Sequence, residues 1–128
     1  MSHLLLDTHV FLWWLADDPA LGGLARKEIA QASNLVFVSA ASFWEIGIKK
    51  ALGKLDAPVG LYDLLQEAGF LPLVISVQHA ERAGTLPLHH RDPFDRMLIA
   101  QTQLDVLQLI TNDVRLHAYG VSIIPATE

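Results

Sequence analysis

The chain predicts an α/β fold on a central parallel sheet, and two observations carry that expectation. Its strand-like segments are short, continuous apolar runs such as Leu4-Leu5-Leu6 and Leu35-Val36-Phe37-Val38. Strands buried on both faces read this way, whereas a half-solvated sheet alternates apolar with polar. Between these runs lie amphipathic stretches of helical length, so strand and helix alternate as in a sheet covered by helices on both faces. At 128 residues a single domain, 1–128, can bury about two thirds of its unfolded surface and so form one full core without staples.

The elements follow in order. Leu4–Leu6 is the first strand, and Thr8 to Ala16 a helix ending near Asp17-Asp18-Pro19. Gly22-Gly23 separates it from a second helix, Leu24 to Ala32. Leu35 to Val38 is the second strand and leads into a helix from Ala40 to Leu52, stopped by Gly53. A fourth helix spans Val59 to Ala68, and a third strand, weakened by Pro72, runs from Leu71 to Ile75. Val77 to Ala83 is a short helix and Leu86 to Arg91 a loop. Asp92 caps the next helix, Pro93 to Leu104, with proline at its first position. Leu107 to Thr111 is strand, Asp113 to Tyr119 a helical turn, and Val121 to Ile124 the last strand.

Composition narrows the function classes. There is no cysteine, so disulfides and thiolate-bound zinc are excluded, and a reducing cytoplasm suits the chain. Apolar residues make up 52%, yet charge, Gly or Pro interrupts every run before the roughly 20 residues a membrane helix needs. The start Met1-Ser2-His3 has no charged region leading into an apolar one, so no signal peptide is expected. A net charge of −5 disfavours nucleic acid only if the acids are spread evenly. If four of the 14 acids share one pocket, the remaining surface is near neutral and local basic groups count for more. Two such groups exist, Lys49, Lys50 and Lys54, and Arg82, His89, His90, Arg91 and Arg96; each reads equally as a solvated face.

Four carboxylates, Asp7, Glu45, Asp95 and Asp113, end an apolar run or open a helix. Acids so placed meet at the carboxyl edge of a parallel sheet, where open α/β folds keep their sites. Hard oxygen donors with no Cys or His cage favour Mg²⁺ or Mn²⁺. Each acid also has a structural reading: Asp7 and Asp113 as helix caps, and Asp95 as the far member of a capping box. Glu45 is different, because its neighbours one turn away are Ala41 and Ile48, and an inward carboxylate costs several kcal/mol unless a cation compensates it. With Ser42, Lys49 and Lys50 read as the polar face, no local partner is expected for Glu45, and Arg96 is the candidate. Thr8, Ser39 and Thr111 lie beside the acids, where hydroxyls can bond a carboxylate or a phosphate. The histidines lack zinc-site spacing, although His9 and His117 are near acids, and no glycine-rich phosphate loop is present. Finally, Phe11-Leu12-Trp13-Trp14-Leu15 makes a helix apolar all round, more than one sheet face can cover.

The blocks Leu4-Leu5-Leu6-Asp7-Thr8-His9, Val38-Ser39-Ala40-Ala41-Ser42-Phe43-Trp44-Glu45-Ile46, His89-His90-Arg91-Asp92-Pro93-Phe94-Asp95-Arg96 and Thr111-Asn112-Asp113 resemble, in order, those of PIN-domain proteins, specifically the VapC-type toxins of bacterial toxin-antitoxin pairs. The resemblance implies a three-layer α/β/α sandwich, a Mg²⁺- or Mn²⁺-dependent endoribonuclease, a homodimer, and an antitoxin whose C-terminal segment lies across the site. It makes Asp7, Glu45 and Asp95 the core triad and Asp113 the fourth acid. Thr8, Ser39, Thr111 and Arg96 are expected near the substrate, with Arg96 on the scissile phosphate or paired with an acid. Two other readings keep the fold: a phosphohydrolase or receiver domain with Asp7 as nucleophile, and a domain that binds RNA or a partner without cutting. The first normally has an acid two residues after the nucleophile, where this chain has His9.

Overall fold

In the computed structural model, which describes residues 1–128, the first apolar run becomes strand β1 (His3–Leu6), and its three leucines have no solvent exposure. Successive strand side chains point to opposite faces, so such a run must be covered on both. Leu4 and Leu6 pack with Val10, Phe11, Ile46 and Leu65 on one face, and Leu5 packs with Leu98, Ile99, Leu109 and Leu116 on the other. The first layer comes from helices α1 (Thr8–Ala16), α2 (Gly23–Ala30), α3 (Ala40–Ala51) and α4 (Leu61–Glu67). The second comes from α6 (Pro93–Asp105), the residues after α5 (Val77–Thr85), and a 3-10 turn at Val114–Tyr119. The result is the expected three-layer α/β/α sandwich.

The remaining strands are β2 (Leu35–Ser39), β3 (Leu71–Leu73), β4 (Gln108–Thr111) and β5 (Ile123–Pro125), and all pair in parallel in the order β3-β2-β1-β4-β5. The chain therefore leaves β1 toward β2 and later returns to its other side with β4. That reversal opens a crevice at the carboxyl ends of β1 and β4, the place where such sheets bind ligands. Leu6 stands opposite Val38 of β2 and Ile110 of β4, so Asp7, Ser39 and Thr111 leave the sheet side by side.

Element bounds differ from expectation only at ends. Helix α4 starts at Leu61 because Gly60 turns into the left-handed region at φ 73°. Strand β3 stops at Leu73, short of Ile75, and tolerates Pro72 because it is an edge strand. Helix α5 runs on to Thr85, and β5 starts two residues later than expected, at Ile123. Gly22 admits the closing segment of the chain: a Cβ there would lie 2.4 Å from the backbone of Thr127 and Glu128. No helix is long and apolar enough to cross a membrane.

Candidate active site

Asp7 follows β1 directly and performs two tasks. One carboxylate oxygen accepts from the Val10 amide at 2.9 Å, which caps α1, and the other accepts from the Thr111 hydroxyl at 2.5 Å. The capping and pocket readings of this residue are thus compatible. Burial raises its pKa above the usual carboxylate value; the bonds from Thr111 and Val10 and the charge of His9 counteract this, while Glu45 adds to it. Glu45 comes from α3, whose buried side is Ala41, Ser42, Glu45 and Ile46. One Glu45 oxygen accepts from Thr8 at 2.5 Å, and the Thr8 oxygen also lies 3.0 Å from the Ser42 hydroxyl.

The second Glu45 oxygen is 2.5 Å from Lys49 Nζ, which corrects the expectation that no residue along the helix compensates this acid. Four-residue spacing stacks the two side chains on one helix face, and the long lysine stem lets its ammonium reach a buried carboxylate from the rim. Ser42 is likewise inward rather than on the polar face. The Lys49 pKa is raised, first by its bond to Glu45 and further by the charges of Asp92 and Asp95.

Asp95 lies in the first turn of α6 but does not cap it, since Asp92 accepts from the amides of both Phe94 and Asp95. It turns instead to His90, 2.8 Å from its Nε2. Burial pushes Asp95 up to about 6, opposed by the His90 bond and reinforced by the charges of Asp92, Asp7 and Glu45. His90 Nε2 is also 3.6 Å from Asp113. Asp113 caps the 3-10 turn through the Arg115 amide, and the Arg115 guanidinium grips both its oxygens at 3.0 and 2.9 Å. That fork holds the Asp113 carboxyl below its ordinary value.

Of the residues expected near substrate, Thr8 and Thr111 spend their hydroxyl protons on the pocket's acids or Ser42. Ser39, fully buried, caps α3 by accepting from the Ala41 amide at 3.0 Å. Arg96 departs from expectation. Its two terminal nitrogens donate to the carbonyls of Ala83, Leu86, Pro87 and His90 at 2.9 to 3.2 Å, so it neither pairs with an acid nor has donors turned to a phosphate. It pins the loop carrying His90, with help from the Tyr119 hydroxyl, which accepts from the His90 amide and donates to Pro87. Sequence reasoning counted His90 and Arg96 in a basic patch; both are buried. His90 is the site residue it missed, and the signal available was a histidine just before the Asp92-Pro93 cap, within reach of Asp95. His9 does line the open cleft of about 420 Å³ beside Asp7, Asn112 and Asp113, whereas His117 is exposed on the 3-10 turn.

The donor set suits a divalent cation. Asp7, Glu45 and Asp95 act on one another through their charges, as carboxylates facing a common space do. His90, Asp95 and Asp113 also offer ligand atoms within 4.8 Å of one another. Clustered hard oxygen donors are what Mg²⁺-like ions take.

The model of the PIN domain matches residues 4–121. The chain is 26% identical over 122 residues to Ribonuclease VapC22 of Mycobacterium tuberculosis, covering 93% of each. Among solved structures, it is similar to VapBC2 from Rickettsia felis bound to a promoter DNA fragment, at TM-score 0.71, 12% identity, and coverage of 96% of this chain and 98% of that one. It is also similar to DNA-bound VapBC from Salmonella typhimurium, at TM-score 0.69, 18% identity, and coverage of 97% and 98%. With the acids gathered at the switch point of a five-stranded parallel sheet and a family match across nearly the whole chain, this protein belongs to the PIN-domain family.

Proposed function

We propose that this protein is a cytoplasmic Mg²⁺- or Mn²⁺-dependent endoribonuclease and the toxin of a toxin-antitoxin pair. What supports this reading is that Asp7, Glu45 and Asp95 act on one another through their charges near the carboxyl edge of the sheet, each held by its own donor. The ribonuclease name of the curated relative supports the substrate class. Asp7, Glu45 and Asp95 would hold the ion, with Asp113 at the outer margin. The ion, when bound, supplies charge neutralisation at the phosphate and activation of water. Thr111 orients Asp7, Thr8 orients Glu45, and His90 orients Asp95, so the acids are preset rather than collected during the reaction. An Asp7 nucleophile fits less well, because the position two residues on, where such enzymes normally carry an acid, is His9. Incubating the protein, freed of any inhibitor, with single-stranded or loop RNA in Mn²⁺, Mg²⁺ or EDTA tests the reading. Cleavage with either metal and none with EDTA is expected; intact RNA throughout, with RNA retained on the protein, would favour a binding domain.

The partner reading rests on α1. Phe11 is core, and Trp14, half-buried, packs on Phe70. Trp13 instead lines a groove of about 670 Å³ with Leu12, Leu15, Leu55 and Leu64, and that groove adjoins the acidic cleft through His9 and Trp13. An antitoxin helix lying there would place its end over the acids, as helix-in-groove recognition requires. Solved relatives include toxin-antitoxin complexes, which supports such a partner. Trp13→Ala should weaken antitoxin binding far more than RNA cleavage, whereas Trp14→Ala should chiefly destabilise the fold. A homodimer is proposed through the apolar hollow where Trp44, 65% exposed, stands edge-on to Phe94 beside Ile48, Ile75 and Met97.

A further inference from the structure

Both oxygens of Glu45 are engaged by this chain's own donors: Thr8 donates to one and Lys49 to the other. The Lys49 ammonium stands at the rim, one third exposed, against a carboxylate only 6% exposed. It also feels the charges of Asp92 and Asp95. Lys50, the next residue, reaches away to the Ala57 carbonyl, and Arg115, which also feels Asp95 and Asp92, bonds to Asp113 at the outer margin. Lys49 is thus the cation this chain itself supplies to Glu45.

We propose that Lys49 is a positioning residue that occupies the cation's place in the metal-free pocket and, released from Glu45 when a divalent ion enters, turns its ammonium to a phosphate oxygen of the RNA. The inference rests on the nuclease reading above. A divalent ion taking the outer Glu45 oxygen meets the Lys49 ammonium already there, and two like charges on one oxygen repel, so lysine and metal compete for one carboxylate. Competition has two consequences of opposite sign. Without the lysine charge the ion binds more tightly, because no pair has to be broken and no like charge remains nearby. RNA then binds more weakly, because one phosphate contact is lost.

The test is Lys49→Gln beside Lys49→Arg and the control Lys50→Gln. Calorimetric titration of the metal-free proteins with Mn²⁺ at mildly alkaline pH should show Lys49→Gln binding at least about tenfold tighter than wild type, with Lys50→Gln unchanged. RNA affinity, measured with Ca²⁺ as the oxygen-ligated ion, should fall in Lys49→Gln and its logarithmic salt slope should shrink by about 0.7, the single-strand value for one phosphate. Lys49→Arg, which keeps the charge, should restore that slope. Lys49→Gln with unchanged or weaker Mn²⁺ affinity, or an unchanged salt slope, would overturn the proposal and leave Lys49 as a helix-surface pair. If wild type itself binds no Mn²⁺, the metal-site reading fails instead. Folding of each variant is checked by its melting curve before titration.

Discussion

Asp7 and Glu45 lie deep in the pocket, each fixed by a threonine hydroxyl, whereas Asp95 and Asp113 stand nearer solvent and share one histidine. The inner pair is built on the sheet edge and on α3, elements whose positions the core dictates. The outer pair depends on a loop and a 3-10 turn, held by Arg96, Tyr119 and Arg115. Geometry at the inner acids is therefore a by-product of the fold, and geometry at the outer acids is a separate construction. Asp95 bridges the two halves, since it belongs to α6 yet takes its orientation from His90 on the loop.

The largest expected effect separates Asp113 from the other three acids by activity. Asp7→Asn, Glu45→Gln and Asp95→Asn should each reduce RNA cleavage at least about 10³-fold, several kcal/mol of transition-state stabilisation. Groups sharing one ion act as a unit, so a double substitution should cost little more than a single one. Asp113→Asn should cost only about tenfold, because it stands at the outer margin and the Arg115 guanidinium already balances its charge. Rates measured in saturating Mn²⁺ decide; an Asp113 loss as severe as that of Asp7 would erase the distinction.

Next comes the loop that builds the outer half. Arg96→Lys keeps the charge but replaces a planar fork by a point donor, which cannot serve four carbonyls at once. Urea denaturation should show a loss of about 2–4 kcal/mol, from buried carbonyls left without a charged donor. Unchanged stability would mean that the loop holds its shape without Arg96.

Asp95 offers a pH test of its burial beside other acids. Its folded pKa of about 6 lies above the ordinary 3.8, so between those values the folded state binds more protons than the unfolded one. Metal-free stability due to this residue is therefore complete below about 4 and is lost as pH rises through about 6. Asp95→Asn should accordingly raise the metal-free melting temperature above pH 6, by the equivalent of about 3 kcal/mol at most, and give no gain near pH 4. Saturating metal should stabilise wild type at neutral pH, by about 2.7 kcal/mol at a hundredfold excess over its dissociation constant. Equal gains at both pH values would remove the raised Asp95 pKa as the cause.

The two halves also differ in how far the sequence discloses them. Asp7 ends an apolar run and Glu45 sits among apolar helical neighbours, so local pattern exposes both, and the run of strand and helix exposes the edge at which they meet. The partners of the acids resist such reading because they are long or loop-borne side chains. Lys49 looks solvated on a helical wheel, yet its stem carries the ammonium back over Glu45. His90 and Arg96 look like a basic surface cluster, and only the closing of the loop over α6 turns both inward. In the same way Trp13 and Trp14 are indistinguishable as neighbours in an apolar string, until Phe70 claims one and leaves the other on the groove.

The smallest effect lies at the outermost contact. Arg115 holds Asp113 below its usual pKa, so this pair contributes stability above the ordinary carboxylate range and loses it as pH falls through the depressed value. Yet the Arg115 side chain is 63% exposed, where solvent and salt screen the attraction and ordering two side chains offsets most of what remains. Arg115→Ala should therefore leave the melting temperature at neutral pH almost unchanged, and any loss seen at low ionic strength should vanish in high salt. NMR titration of the Asp113 carboxyl should meanwhile show its midpoint returning toward the ordinary value, because the guanidinium bonds are the first cause of its depression. A large, salt-resistant loss of stability would place Arg115 among the supports of the outer half, alongside Arg96, and would mean that the fourth acid is as firmly built as the first three.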